Sequence, residues 1–219
     1  MDYNTCIFKR PMPLTAEQGY KIREEYSDVK EKEVCDAHGL QQIGGSRTKI
    51  DGQNADVRKS IKNASGRSTQ VHLTTQNHFI KTFNITGNAA KFIEHFCGNK
   101  DYDYKGKDRR TIKQIDENYV TTFKEFLDNN KLAIVDLIIR NGFDITHVVY
   151  NHLPTTEYEL TYQQIVDKVD VAEWKFLNGG IHLKDKNGKS YFHFQREGKR
   201  NPSNRYNVLW HIHIHLFKK

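Results

Sequence analysis

The chain has 219 residues, enough for one domain with a sizeable core, and 37% of them are hydrophobic, including 12 Phe, 11 Tyr and 2 Trp. Its 34 Lys and Arg outweigh 27 Asp and Glu, so the formal charge is +7 before 11 histidines are counted; that balance favours a polyanionic partner without identifying it. No run approaches the roughly 18 apolar residues that cross a bilayer, and Met1-Asp2-Tyr3-Asn4 lacks the basic-then-apolar pattern of an export signal, so a soluble cytoplasmic protein with no membrane partner is expected.

From the N-terminus, residues 15–32 open a helical pattern, with Thr15 as a cap and Glu17 in the first turn. Cys6, Cys35 and Cys97 form no CxxC pair, which argues against a zinc ribbon or disulfide framework, and Cys35 with His38 is only half a zinc site. Gly44-Gly45-Ser46 and Asp51-Gly52 are turn signals around a short strand at 47–50. Two strands then follow, 54–61 and 68–74, expected to form a hairpin. Residues 79–83 read as strand or loop, and 89–96 as a helix with Phe92, Ile93 and Phe96 on one face.

Residues 99–110 are polar and charged, a surface loop. A strong amphipathic helix spans 116–130, with Tyr119, Val120, Phe123, Phe126 and Leu127 at helical spacing. The apolar run 132–139 fits a buried helix or strand, 147–152 is β-like, 162–169 is helical, and 171–177 continues that region. The clearest β signals are 181–183, 190–196 and 207–217, joined by Asn187-Gly188 and by a loop at 198–205. The order predicts a mixed α/β or α+β domain with a sheet between helices.

The candidate chemistry lies in the 54–74 hairpin. Gln70 and His72 stand two apart, so on a regular strand they share a face. If Asp56 lies across from them, three oxygen or nitrogen donors converge. Mg²⁺ favours oxygen ligands and binds through one or two carboxylates plus substrate phosphate. Asp56 would be the charged ligand and Gln70 a neutral one, with His72 or Lys59 positioning or deprotonating water. An ordinary polar surface hairpin is the bland alternative.

The pattern Asp56…Gln70-Val71-His72 resembles the PD-(D/E)xK nuclease core, in which an acid at the start of one strand faces an acid-or-Gln-x-Lys on the next. Gly106-Lys107-Asp108-Arg109-Arg110, a helix ending Phe126-Leu127-Asp128-Asn129-Asn130, and Asp136-Leu137-Ile138-Ile139-Arg140-Asn141-Gly142 resemble the middle of the small type II restriction endonucleases that cut GCGC or CCGG. Phe194-Gln195-Arg196-Glu197-Gly198, then Asn207-Val208-Leu209 and Ile214, look like the base-reading C-terminal hairpin of that group. The match is collinear over roughly residues 50–217.

That resemblance implies a restriction-endonuclease-like fold: a central mixed sheet flanked by helices, with a C-terminal β-hairpin region. It implies one endonuclease domain over 1–219, divided into a catalytic core (1–100), a helical region (101–180) and a DNA-reading β region (181–219). The implied activity is Mg²⁺-dependent, sequence-specific cutting of double-stranded DNA at a short palindrome, by a monomer or weak homodimer. Asp56 and Gln70 would hold metal. Glu17 or Glu24 on the first helix would supply a further acid. His72 stands where the group carries lysine, and either it or Lys59 would do the lysine's work. Two alternatives stay open: a decayed, non-catalytic DNA-binding protein, and a strand-nicking mismatch-repair endonuclease of the same fold.

Lys107, Arg109 and Arg110 are expected to touch phosphates. Arg196, Lys199, Arg200, Asn201 and Arg205 in the C-terminal loop, with Asn207, His211 and His213 on the return strand, are expected to face bases in the major groove. His211, His213 and His215 alternate with Ile212 and Ile214, but three histidines along one straight strand span too far for one ion. Asn151-His152 suggests a ββα-metal nuclease, yet the upstream histidine and cysteine clamps of such a site are missing.

Overall fold

The structure, a computed structural model, describes residues 28–43, 48–64, 66–98, 110–152, 156–196 and 206–218. Helix α1 (Val29–Ala37) leads into two short strands, β1 (Gln41–Gln42) and β2 (Gly52–Gln53), and then β3 (Arg58–Ala64) and β4 (Ser68–Thr75). Four helices follow: α2 (Gln76–Thr82), α3 (Gly87–Cys97), α4 (Glu117–Asn129) and α5 (Lys131–Ile139). Strands β5 (His147–His152) and β6 (Thr156–Thr161), helix α6 (Tyr162–Asp170), and strands β7 (Glu173–Leu177), β8 (Gly180–Lys184), β9 (Ser190–Arg196) and β10 (Asn207–His213) complete the order.

The strands divide into two sheets of five. The first runs β1-β2-β3-β5-β6 and is mixed, because β5 lies parallel to β3 while the other pairs are antiparallel. The second is antiparallel, in the order β4-β10-β9-β8-β7. The expected mixed α/β architecture is therefore present, with two sheets sharing the strands.

Burial follows the sequence pattern closely. On β5 the run Val148-Val149-Tyr150 is buried on both faces, as a strand inside a sheet covered on each side requires. Val149 and Ile61 pack with Leu40 against Val34 and Cys35 of α1, while Val148 and Tyr150 join the main core. In the second sheet Ile181, Leu183, Phe192, Phe194, Val208, Trp210 and Ile212 enter that core, and the histidines between them take the other face. Helices α3 and α4 meet through Phe92 on Phe123, stacked 4.5 Å apart at 12°. Asp116 caps α4 by accepting from the Asn118 N–H, and Thr161 with Gln164 forms a capping box at the start of α6.

Several local expectations are corrected. Residues 58–64 and 68–75 are strands, but β3 pairs with β2 and β5, and β4 pairs with β10 in the other sheet, so they form no hairpin. The short strand expected at 47–50 is absent over 48–50, and 76–82 is helical because Thr75 caps it through the His78 N–H. Residues 173–177 form β7 rather than a continuation of α6, and β10 stops at His213 before a 3₁₀ turn over Ile214–Leu216. The region expected to be helical, 101–180, also carries β5, β6 and β7.

Candidate functional site

Asp56 lies in the turn between β2 and β3, exposed, where the Asn54 side chain accepts from the Asp56 and Val57 N–H groups at 2.9 and 3.0 Å. Gln70 and His72 lie on β4 in the second sheet. A β-bulge shifts the register there, so that Gln70 pairs with His211 and His72 with Trp210. Trp210 enters the core and His211 stands against His193 on the other face, so Gln70 and His72 project oppositely rather than side by side. The convergence of Asp56, Gln70 and His72 is therefore not formed. Extra length in one strand defeated the two-residue period on which it rested.

His72 is half-buried, and its Nε2 has no hydrogen-bond partner among the described residues. Burial, then the charges of Lys49 and His78, push its pKa down to about 4. Lys59 is also unsuited to the role foreseen for it. Its buried amine bonds His38 Nδ1 at 2.9 Å and Glu159 at 2.7 Å, and His38 Nε2 in turn meets Glu157 at 2.6 Å. This network ties α1 to β3 and β6 on the face shared with Ile61.

The opposite face of β3 carries a different constellation. One carboxylate oxygen of Asp51, immediately before β2, accepts from the Ile61 N–H at 2.6 Å, the Ser60 hydroxyl at 3.2 Å and the Lys62 ammonium at 3.2 Å. Asp51 and Lys62 are each mostly enclosed, with 17% of the side chain exposed, so this ion pair is less screened than a surface pair. Lys49 reaches across to the second sheet, donating to the Val71 carbonyl and, at 3.4 Å, to that of Ile138 on α5. Burial and the neighbouring Lys62 charge lower its pKa to about 8, against the pull of Asp51. An acid ahead of one strand thus faces Ser60-Ile61-Lys62 on the next, at the seam between the sheets. Sequence reading treated Asp51-Gly52 only as a turn; the signal available was the two-residue spacing of Ser60 and Lys62.

Among the residues expected to touch DNA, Arg196 is committed elsewhere. Its guanidinium donates to the carbonyls of Phe96 at 2.9 Å and Arg110 at 2.8 Å and lies 5.2 Å from the Phe96 ring, pinning α3 to β9 rather than facing a groove. Asn207 is buried on β10, and His211 Nε2 meets the Gln195 side-chain amide at 3.0 Å. Arg110 is exposed, with its backbone N–H on the His95 carbonyl. Glu17, Glu24, Lys107, Arg109, Lys199, Arg200, Asn201 and Arg205 lie outside the described residues. A basic hollow that sequence reading missed is lined by Lys168, Lys186, Lys189 and Lys218 together with Tyr191 and His215. Its lysines come from α6, the β8–β9 turn and the C-terminus, so no cluster in the sequence announced it.

The fold and this seam define a mixed α/β protein with a partly enclosed acid–lysine centre. No family model and no curated protein matches the chain. Among solved structures it is similar to the crystal structure of restriction endonuclease MspI in complex with its cognate DNA, at 9% identity and a TM-score of 0.44, covering 89% of this chain and 82% of that one. That likeness is weak. No helix among the described residues is long and apolar enough to cross a membrane.

Proposed function

We propose that the chain is a divalent-metal-dependent endonuclease of double-stranded DNA, of the restriction type, with its centre at Asp51, Ser60 and Lys62 instead of Asp56, Gln70 and His72. The observation that carries this reading is the Asp51 carboxylate gathering Ser60, the Ile61 N–H and Lys62 at the base of adjoining strands. An acid ahead of one strand and x-Lys on the next are what the resemblance calls for, found one strand pair earlier in the chain, with Ser60 standing where that pattern carries an acid or Gln.

Mg²⁺ suits the donor set, since a carboxylate and a hydroxyl are hard oxygen ligands and Mg²⁺ commonly takes only one or two carboxylates, leaving the rest to water and phosphate. Asp51 and Ser60 would hold the ion, which when bound would neutralise charge on the phosphate being cut. The Lys62 ammonium stands beside the acid, where it orients the attacking water and stabilises negative charge developing on phosphate oxygens. Lys49 keeps the seam in register by bonding carbonyls of β4 and α5. Base reading, on this proposal, falls to Lys199, Arg200, Asn201 and Arg205, without Arg196.

Plasmid DNA incubated with the protein and Mg²⁺ or Mn²⁺ tests this. Discrete fragments are expected, with Asp51→Asn and Lys62→Ala each slowing cutting at least about 100-fold and Asp56→Asn leaving it nearly unchanged. Cutting lost in Asp56→Asn but kept in Asp51→Asn would overturn the assignment. A second reading, a DNA-binding protein that no longer cuts, is favoured by Ser60 standing where the nuclease core carries an acid or Gln. Salt-sensitive binding with no cutting in either metal would establish it.

A further inference from the structure

The face of the second sheet turned away from the core carries histidines from three adjacent strands. His182 on β8 pairs with His193 on β9, and His193 pairs with His211 on β10. His213, two residues beyond His211, leans across to them. The rings of His182 and His193 stack at 4.0 Å, and His213 lies 6.1 and 6.0 Å from the two. One ring nitrogen from each of His182, His193 and His213 lies within 4.8 Å of the other two. Cross-strand neighbours achieve what three alternating positions on one strand do not.

The surroundings of these nitrogens point to a ligand. Nε2 of His193 and Nε2 of His213 are shut off from solvent with no hydrogen-bond partner among the described residues, and buried polar atoms are seldom left so. His182 Nδ1 meets the Ser190 hydroxyl at 2.9 Å. With Nδ1 donating, the His182 Nε2 lone pair is free, as an outer hydrogen bond does for a metal-binding imidazole. His193 also packs against the Gly180 backbone, where a Cβ would fall 2.4 Å from its Nε2 and 2.8 Å from the Phe194 carbonyl, so that position takes glycine. Burial, with the neighbouring histidine and lysine charges, holds the pKa values of His182, His193 and His213 down to about 4, 3 and 4.

We infer that His182, His193 and His213 bind a divalent transition-metal ion, Zn²⁺ by ligand chemistry, that ties β8, β9 and β10 together. Three imidazoles without thiolate or carboxylate suit Zn²⁺, Ni²⁺ or Cu²⁺ and not Mg²⁺. Zn–N bonds of about 2.0–2.1 Å set tetrahedral ligand nitrogens about 3.4 Å apart, and a bound ion lies in the plane of each imidazole, so the stacked rings of His182 and His193 must tilt out of parallel on binding. The fourth position is left to water. The site shares no residue with the Asp51 centre, and neither proposal depends on the other.

The test uses the untagged full chain, stripped with a chelator and titrated with Zn²⁺. One equivalent is expected to bind and to raise the thermal midpoint, and Co²⁺ in its place is expected to give visible absorption of a low-coordinate, nitrogen-bound ion. His193→Gln and His213→Gln should each weaken Zn²⁺ binding at least about tenfold and remove the thermal shift, while His211→Gln keeps both. Should a variant fail to fold, the wild-type imidazole nitrogen resonances serve instead: Zn²⁺ must move those of His182, His193 and His213. No stoichiometric Zn²⁺, binding unchanged in the folded variants, or resonances that stay still would overturn the site.

Discussion

The His72 imidazole is held neutral by its burial beside Trp210 and by the charges of Lys49 and His78, with a pKa near 4 against an ordinary 6.5. Between those values the unfolded chain binds a proton that the folded one does not. Stability contributed by this group is therefore complete above pH 6.5 and lost as pH falls through 4. His72→Leu removes one such proton and should flatten the acid limb of a plot of urea midpoint against pH between 4 and 6.5, by up to about one proton in slope. The remaining slope belongs to other buried histidines, and an unchanged limb would show that His72 titrates normally. Lys62 has the contrasting position, paired with Asp51 and still 17% exposed, so a phosphate can approach it. The sequence left the lysine's role between His72 and Lys59 and missed Lys62, because Lys62 and His72 each stand two residues from a plausible ligand and the pairing that brings Asp51 to Lys62 is not local.

At the scale of elements, β2 is two residues long and sits where it does because nothing larger than glycine fits at Gly52. A Cβ there would lie 2.6 Å from the sulfur of Cys35 on α1 and 3.2 Å from Leu40 just beyond that helix. Gly52→Ala should cost about 1–3 kcal/mol, as overpacking does, measured as a lower urea midpoint, and should slow cutting because Asp51 is its neighbour. Elements that bury a regular stripe were legible: α4 from Tyr119, Phe123 and Leu127, and β8 to β10 from their alternation. Elements held by context were not. In α2 only Gln76 and Phe79 are buried, and β6 (TEYELT) has no fully buried residue, so neither shows a period. Strands β3 and β4 look like a hairpin because few residues separate them. Their true partners, β5 and β10, come far later in the chain, and local pattern does not encode such pairing. The same limit hid the site: alternation puts Ser60 and Lys62 on one face, but Asp51 reaches them through the pairing of Gly52 with Lys59.

Across the whole molecule, charge and the two-sheet layout act together. The net charge of +7 is spread along the chain, yet folding brings Lys168, Lys186, Lys189 and Lys218 around one hollow, while Asp51 and Lys62 lie at the seam between the sheets. Binding of a polyanion to such a surface releases counterions, so affinity falls linearly on logarithmic axes with salt, by about 0.9 per phosphate neutralised. Asp51→Asn, which should bind without cutting, is the protein in which to measure this. Its affinity for a DNA duplex should drop steeply between roughly 50 and 200 mM salt. Adding Lys186→Ala and Lys189→Ala, both on the exposed turn between β8 and β9, should then reduce the slope by about 0.9 for each phosphate no longer neutralised while leaving the folded baseline intact. If the slope does not change, the duplex lies away from the hollow. The phosphates would then be carried by the seam and by the arginines and lysines of the C-terminal loop.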